Sequence, residues 1–231
     1  MEEIKESKQS KSRLIQEVNE ENLDKINEQK YKYIYLYGII DNRDITLDIN
    51  GLKNRAIKRI NFNDISALIS FYPTLTPELK EDETIMHADI LKKIAEKTTV
   101  IPTSFGTVFI NIKNLENILV VSYEAIKETL KLIDNKIELG VKIIKTQLEE
   151  NNNGIAKEIL ESLNEFSVKG VKGDIFSDRL LLNHSFLVEK ESFSVFSDKI
   201  ASLESKHKEL RFIYTGPWPP FSFVNINLTG R

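Results

Sequence analysis

Histidine is the side chain in this sequence best suited to acid–base or metal chemistry, and three are present: His87, His184 and His207. No two of them stand four residues apart, as on a zinc-binding helix, and the HExxH motif is absent. A single histidine beside apolar residues is more commonly a hydrogen-bonded core residue than a ligand or a base. We therefore predict that all three are structural; the alternative is an enzyme with a site near His87 or His184.

Sequence motifs for phosphate, nucleotide and acyl chemistry are missing as well. The chain has no GxxxxGK[ST], GxGxxG or GxSxG motif, and its glycines are scattered. The absence of cysteine excludes disulfides, iron–sulfur clusters, cysteine-ligated zinc and thiol catalysis. We predict no catalytic residues, no cofactor and no metal, so the protein is not expected to be an enzyme.

Four tyrosines at alternate positions (Tyr31, Tyr33, Tyr35 and Tyr37) indicate a strand with one aromatic face. On a ferredoxin-like sheet, such a face can stack the bases of single-stranded RNA, and an RNA-binding module is therefore the alternative function. The RNP1 pattern is absent, and 32 basic against 35 acidic residues give a net charge of −3, which disfavours a nucleic-acid partner. We expect these tyrosines to pack beneath a helix or a neighbouring strand.

The segment from Tyr214 to Val224, YTGPWPPFSFV, contains the single tryptophan and three of the six prolines. Prolines keep this backbone extended, and its aromatic side chains are too apolar to remain in water. The segment must lie against the rest of the chain or against a partner, and physical reasoning alone leaves both open. Prolines and amides also make the surrounding uncharged stretch, 212–230, unsuitable for crossing a membrane, so no membrane partner is predicted.

Apolar periodicity predicts the elements that must position these groups. Alternation typical of strands occurs over 31–40, 56–60, 65–71, 105–110, 137–143, 180–188 and 210–215. Helical spacing occurs over 83–98, 115–133, 155–166 and 193–203, with Asn114 and Ser192 as predicted caps. The apolar stripe of the first helix is predicted to be Met86, Ile90, Leu91 and Ile94. The segment 167–178 has no clear period and is predicted to be a loop.

These elements predict an α+β fold with two small domains, each a mostly antiparallel sheet backed by helices, ferredoxin-like in type. The predicted boundaries are a charged leader at 1–30, an N-terminal domain at 31–135, a C-terminal domain at 136–213 and a proline–aromatic tail at 214–231. The leader is expected to be flexible because charged and polar residues dominate it.

Six segments of the chain, in this order, resemble the gas vesicle protein F/L family (GvpF and GvpL). They are YLYGI at 35–39, ISALIS at 65–70, TVIPTSFGTVF at 99–109, ELGVKI at 138–143, NHSFLV at 183–188 and TGPWPPFSFV at 215–224. The last segment is the most specific. Phe221 stands where many relatives have tyrosine, and His184 and Ser185 stand where small residues are usual. The resemblance spans about residues 31–231.

The resemblance implies an accessory or minor structural protein of gas vesicles, the hollow gas-filled protein shells of buoyant prokaryotes. It implies binding to the shell protein GvpA, to other gas vesicle accessory proteins, or to both, during nucleation and assembly, and thereby a limit on GvpA aggregation. It further implies a location at the gas vesicle or in the cytoplasm, and an N-terminal domain of modified ferredoxin-like type. F-type and L-type members are not distinguished.

The resemblance also marks a set of residues as structural or interaction residues: Tyr37, Gly38, Pro102, Phe105, Gly106, Gly216, Pro217, Trp218, Pro219, Pro220, Phe221 and Phe223. We expect the tail to pin the two domains together, because it directly follows a core strand. On that view, Trp218→Ala lowers the melting temperature by several degrees.

Overall fold

The computed structural model describes residues 32–43, 45–146 and 153–228. The predicted leader at 1–30 and the last three residues of the predicted tail lie outside these ranges. Two antiparallel sheets, each backed by helices, make up the described part of the chain. The predicted α+β class is therefore confirmed.

The first sheet is formed within residues 33–109. Its strands are β1 (Tyr33–Asp41), β2 (Lys58–Phe62), β3 (Ile65–Tyr72), β4 (Val100–Pro102) and β5 (Val108–Phe109). They lie in the order β2-β3-β1-β4, with β5 also paired to β1. Helix α1 (Glu81–Lys97) packs on one face, and α2 (Ile112–Val121) and α3 (Tyr123–Ile133) pack on the other.

The second sheet contains β6 (Lys136–Lys145), β7 (Lys169–Lys172), β8 (Leu180–Glu189) and β9 (Leu210–Trp218). Helix α4 (Asn153–Asn164) precedes β7, and α5 (Phe193–Lys206) precedes β9. The strand order β7-β8-β6-β9, antiparallel throughout, is that of the ferredoxin-like fold. The first sheet has the same order, but its first connection, 42–57, has no α-helix among the residues that the structure describes. The first half is therefore a modified version of the second.

Strand β1 is buried on both faces because its central residues alternate between two apolar clusters. Tyr35 and Tyr37 face α1, whereas Leu36 faces α2 and α3. A bulge between Leu36 and Gly38 then shifts the alternation by one residue, so that Ile39 joins Leu36 on the second face.

Helix α1 begins with three acidic residues, which favour the positive end of a helix dipole. Its buried face consists of His87, Ile90, Leu91 and Ile94. The prediction of Met86 in this stripe is wrong, since 46% of its surface is exposed. His87 is buried in its place because its two ring nitrogens find hydrogen-bond partners in the core.

Three other predictions about the elements are wrong. The single helix predicted over 115–133 is interrupted at Ser122, which follows two β-branched valines of low helix propensity. The cap of α2 is Asn111, whose side chain accepts a hydrogen bond from the backbone N–H of Asn114. The predicted loop at 167–178 contains β7, which is too short to show a period.

Two strands differ from their predicted length. The strand predicted over 105–110 is reduced to Val108–Phe109, because residues 104–107 form a turn. Strand β9 continues to Trp218 through a cis Gly216–Pro217 peptide bond, so the predicted 213/214 boundary falls inside a strand.

The two halves share apolar packing. The cluster between the first sheet and α2–α3 also contains Leu187 of β8 and Phe223 and Leu228 of the C-terminal segment. A separate cluster lies between the second sheet and helices α4 and α5. The division into domains at 135/136 stays a prediction.

Candidate binding groove

His87 lies on α1, His184 on β8 and His207 directly after α5, so no two of the histidines share an element. His87 contacts Tyr35 and the Thr103 carbonyl, and His207 lies 3.2 Å from Glu209. His184 borders a cavity of about 210 Å³ whose charged lining residues are two lysines. Within the described ranges no group of histidine and acidic side chains could hold a metal ion. The enzyme alternative required a histidine and a carboxylate meeting in a cavity, and neither His87 nor His184 meets that condition.

The tyrosines of β1 do not form an exposed aromatic face. Tyr35 and Tyr37 have 0% exposed surface and pack beneath α1, and Tyr33 is half-buried. Tyr31 lies outside the described residues. Because stacked RNA bases need an accessible ring face, Tyr35 and Tyr37 cannot provide that platform.

Tyr35 and Tyr37 instead belong to a buried hydrogen-bonded cluster with His87. The Thr103 carbonyl can only accept, so His87 Nε2 carries the proton and donates to it over 2.8 Å. His87 Nδ1 therefore accepts from the Tyr35 hydroxyl, 2.9 Å away. The Tyr37 hydroxyl accepts from the Leu52 N–H, also at 2.9 Å. This network explains how a polar cluster is tolerated in the core.

The first group of predicted residues builds this cluster and the loop over it. Gly38 pairs with Pro102 across β1 and β4. Gly106 has a positive φ of 84°, which glycine adopts readily, and its N–H donates to the Tyr35 hydroxyl. The Phe105 ring packs edge-on against His87, with ring centroids 5.9 Å apart. Their arrangement in this core favours a structural role.

Sequence reasoning did not single out Thr103. This residue belongs to TVIPTSFGTVF (99–109) and connects that segment to YLYGI (35–39). Its hydroxyl lies within hydrogen-bond distance of the Leu36 and Tyr37 carbonyls, 2.7 and 2.9 Å away, at the β1 bulge. The Tyr37 carbonyl also accepts from the Thr103 N–H over 3.0 Å, which leaves the single hydroxyl proton for the Leu36 carbonyl beside the bulge.

We expect the protein to lose stability in mild acid because of His87. Burial lowers the pKa of His87 below its ordinary value, although its bond to the Thr103 carbonyl opposes this shift. Below about pH 6.5 the unfolded chain binds a proton that the folded chain resists, so the free energy of unfolding falls by at most about 1.4 kcal/mol per pH unit. The loss ends below the folded-state pKa, and urea unfolding at several pH values measures it.

His87→Gln is the control for this prediction, because glutamine can still donate to the Thr103 carbonyl. The pKa of His184 is also lowered by burial, so the variant should keep part of the acid slope. An unchanged slope in His87→Gln would contradict the assignment to His87.

The second group of predicted residues lies where the two halves meet. After β9, Pro219 and Pro220 are buried, and a short 3-10 turn, Phe221–Phe223, follows. The Ser222 N–H and hydroxyl donate to the carboxylate of Glu138, at 2.8 and 2.6 Å. Glu138 is buried in β6, so these two bonds fix the turn against the second sheet.

The same turn reaches the first half through Phe223. Its side chain is buried in the cluster formed by the first sheet, α2 and α3, and Leu228 joins the same cluster. The C-terminal segment thus contacts the second half through Ser222 and the first half through Phe223 and Leu228. Trp218 has 43% of its surface exposed, so it is poorly suited to the pinning role expected for it.

Trp218 lines a groove between the halves that has a volume of about 370 Å³. The end of α1 forms one side, and the start of β6, the turn before α5 and the end of β9 form the rest. Six of the lining side chains are apolar: Ala95, Ile137, Phe193, Pro217, Trp218 and Pro219. The other four are charged: Lys92, Glu96, Lys136 and Lys190. Concave apolar surface with a few charged groups is typical of a binding site.

One lysine contact joins the two sides of the groove, and a second lysine is held at its edge by an ion pair. Lys190 Nζ, in the turn before α5, donates to the Ala95 carbonyl in α1 over 3.2 Å. Lys136 Nζ pairs with Glu189 at 3.2 Å and donates to the Asp134 carbonyl. Sequence reasoning singled out Pro217, Trp218 and Pro219, which are consecutive in the chain. It could not find Ala95, Phe193 or Lys190, because only folding brings these elements together.

The fold and groove define a class: an α+β protein of two related sheets with a candidate binding groove between them. No helix in the described ranges is long and apolar enough to cross a membrane. The chain matches the family of gas vesicle synthesis proteins GvpL/GvpF over residues 33–150 and 143–225. It belongs to this family, and its role is therefore related to gas vesicles.

Individual relatives agree with this assignment. The chain is 32% identical over 207 residues to gas vesicle protein F1 of Halobacterium salinarum, covering 84% of this chain and 94% of the relative. It is 33% identical over 201 residues to gas vesicle protein F of Haloferax mediterranei, with the same coverage. These relatives support an association with gas vesicles, and the family is not known as an enzyme family.

Solved structures show the same fold. The crystal structure of GvpF from Anabaena sp. PCC7120 aligns with a TM-score of 0.73 at 21% identity, covering 84% of this chain and 97% of that one. GvpF from Microcystis aeruginosa aligns with a TM-score of 0.73 at 19% identity, covering 84% and 100%. Both contain the two-sheet arrangement within the aligned region.

Proposed function

We propose that this protein is an accessory or minor structural protein that binds GvpA, other gas vesicle accessory proteins, or both, during vesicle nucleation and assembly. The observation that carries the proposal is the half-exposed Trp218 in an apolar groove of a gas vesicle family member. Exposed aromatic side chains in concave sites are typical anchors of protein partners.

Binding of this kind would limit aggregation of the shell protein. A small, very hydrophobic protein with strand edges tends to pair edge to edge before assembly. A partner that covers apolar surface until the shell grows would lower the concentration of such pairs. The net charge of −3 would help to keep the complex in solution.

The test is a pull-down of the purified chain with GvpA and the accessory proteins of its own organism, together with light scattering of GvpA. Capture of GvpA and slower scattering would support the proposal in full. Capture of accessory proteins alone would support a scaffold role during assembly. Capture of nothing, with unchanged scattering, would contradict it.

Trp218→Ala should abolish most of this capture while leaving the protein folded. Loss of an aromatic anchor at the centre of an interface costs at least about 2 kcal/mol, or roughly thirty-fold in affinity. The free energy of unfolding should fall by about 1 kcal/mol, because the side chain is half-exposed already. Pull-down and urea unfolding of the same sample separate the two effects.

Phe221→Ala is the matched control, since this aromatic belongs to the same segment but does not line the groove. It should retain capture. Equal loss in both variants would place the partner on the tail surface rather than in the groove.

A further inference from the structure

The groove has the dimensions of a site for side chains rather than for a folded element. Its volume of about 370 Å³ lies near the lower end of ligand sites, enough for one or two large side chains. The Trp218 indole and the rings of Pro217 and Pro219 form one wall, and Ala95 and Phe193 contribute to the lining. Apart from the indole N–H, these side chains have no polar group. The anchor that fits them is therefore aromatic or aliphatic.

Charge around the groove is opposite to that of the chain as a whole. Three lysines line it, against one carboxylate, Glu96, among the described lining residues. Lys136 is paired with Glu189, whereas Lys190 Nζ contacts a carbonyl group, which leaves its full charge available. The complete sequence has a net charge of −3. A local positive rim on an acidic protein selects for negative charge in whatever binds there.

We infer that the groove binds a segment of a partner protein in which one or two large apolar side chains are flanked by carboxylates. The apolar side chains occupy the space beside Trp218, and the carboxylates lie against Lys92 and Lys190. This inference rests on the proposed function and deepens it, because it states the chemistry of the partner segment. The same charges select against a basic segment of equal hydrophobicity.

Trp218 makes the inference directly measurable, because it is the single tryptophan of the chain. Two synthetic peptides with the same central Leu-Phe pair, one flanked by glutamates and one by lysines, are titrated while Trp218 emission is followed. The acidic peptide should shift the emission to the blue and bind about ten-fold more tightly at low salt. The difference should shrink as salt is added, because exposed charges are screened.

Lys92→Glu and Lys190→Glu test the charged rim. Together they should weaken the acidic peptide about ten-fold and strengthen the basic one. Lys92 is exposed, and its variant should fold normally, so the single change alone should weaken the acidic peptide about three-fold. Lys113→Glu, an exposed lysine on α2 that does not line the groove, is the matched control and should change neither affinity.

The outcomes separate this inference from the proposed function. Successful pull-down of GvpA or accessory proteins, with equal binding of both peptides or no effect of the lysine variants, would overturn the inference and leave the function standing. Selective binding of the acidic peptide without any pull-down would support the groove and contradict the function. Sedimentation showing a dimer that Lys92→Glu dissociates would identify a second copy as the occupant, and would overturn the inference.

Discussion

Phe223→Ala is expected to lower the free energy of unfolding by about 3–4 kcal/mol, because it removes a buried aromatic ring and leaves a cavity. Phe223 is 5% exposed and lies in the cluster shared by the first sheet, α2, α3 and Leu187. Its loss should also loosen the attachment of the C-terminal segment to the first half. For a chain of this length the melting temperature should fall by about 10 °C, measured by calorimetry or circular dichroism.

Phe221→Ala provides the internal comparison, since the two phenylalanines lie in the same 3-10 turn. Phe221 is 36% exposed, so its replacement should cost less than about 1.5 kcal/mol. Equal costs for the two variants would show that the turn does not pin the halves through Phe223. If Trp218→Ala lowered the free energy of unfolding more than Phe223→Ala does, Trp218 would be the residue that holds the two halves together.

Gly38→Ala is expected to cost about 2–3 kcal/mol, the second largest effect, because its backbone surroundings leave no space for a methyl group. A Cβ at this position would lie 2.6 Å from the Ile101 carbonyl oxygen and 2.7 Å from Val100 Cγ2. Strand β4 cannot move away without breaking its pairing with β1, which holds the loop above His87. Urea unfolding of the variant measures the cost.

Gly154→Ala is the same chemical change at an open site. It lies near the start of α4, and a Cβ there meets no atom of the described residues within 4 Å. Alanine favours the helix over glycine, so this variant should be more stable by about 0.5 kcal/mol. If the Gly38→Ala variant were as stable as the Gly154→Ala variant, the conclusion that β1 and β4 leave no space for a methyl group at Gly38 would be wrong.

Much of the fold could be predicted from local patterns. Strand alternation located β1, β3, β6 and β8, and helical spacing located α1, α4 and α5, because each pattern reflects one buried face. The same rule failed where burial depends on hydrogen bonds. His87 replaced Met86 in the core since the Tyr35 hydroxyl and the Thr103 carbonyl satisfy its ring.

Local patterns also failed in two other cases. One is an element too short to show a period, and the other is an apolar period that continues across a break in the helix. Strand β7 has four residues, and the apolar spacing of 115–133 continues across the break at Ser122. A period counts residues per turn, and it therefore carries no information about whether the backbone leaves the helical conformation at one residue.

The candidate site shows the same division. The composition of TGPWPPFSFV was enough to single it out, because an extended segment with apolar side chains must pack against the rest of the chain or against a partner. The sequence of this segment could not predict which of its residues pack against the two halves and which line the groove. In the folded chain, Ser222 and Phe223 contact the two halves, while Trp218 faces the groove.

By itself, the sequence determined the α+β class, the absence of cysteine chemistry and of known catalytic motifs, and the family, since these depend on composition, period and short motifs. Tertiary structure alone decided that β1 is buried on both faces, that His87 is a core residue, and that α1, β6, β9 and the turn before α5 enclose a groove. Those features depend on contacts between residues far apart in the chain, and such contacts exist only after the two sheets have folded and packed together.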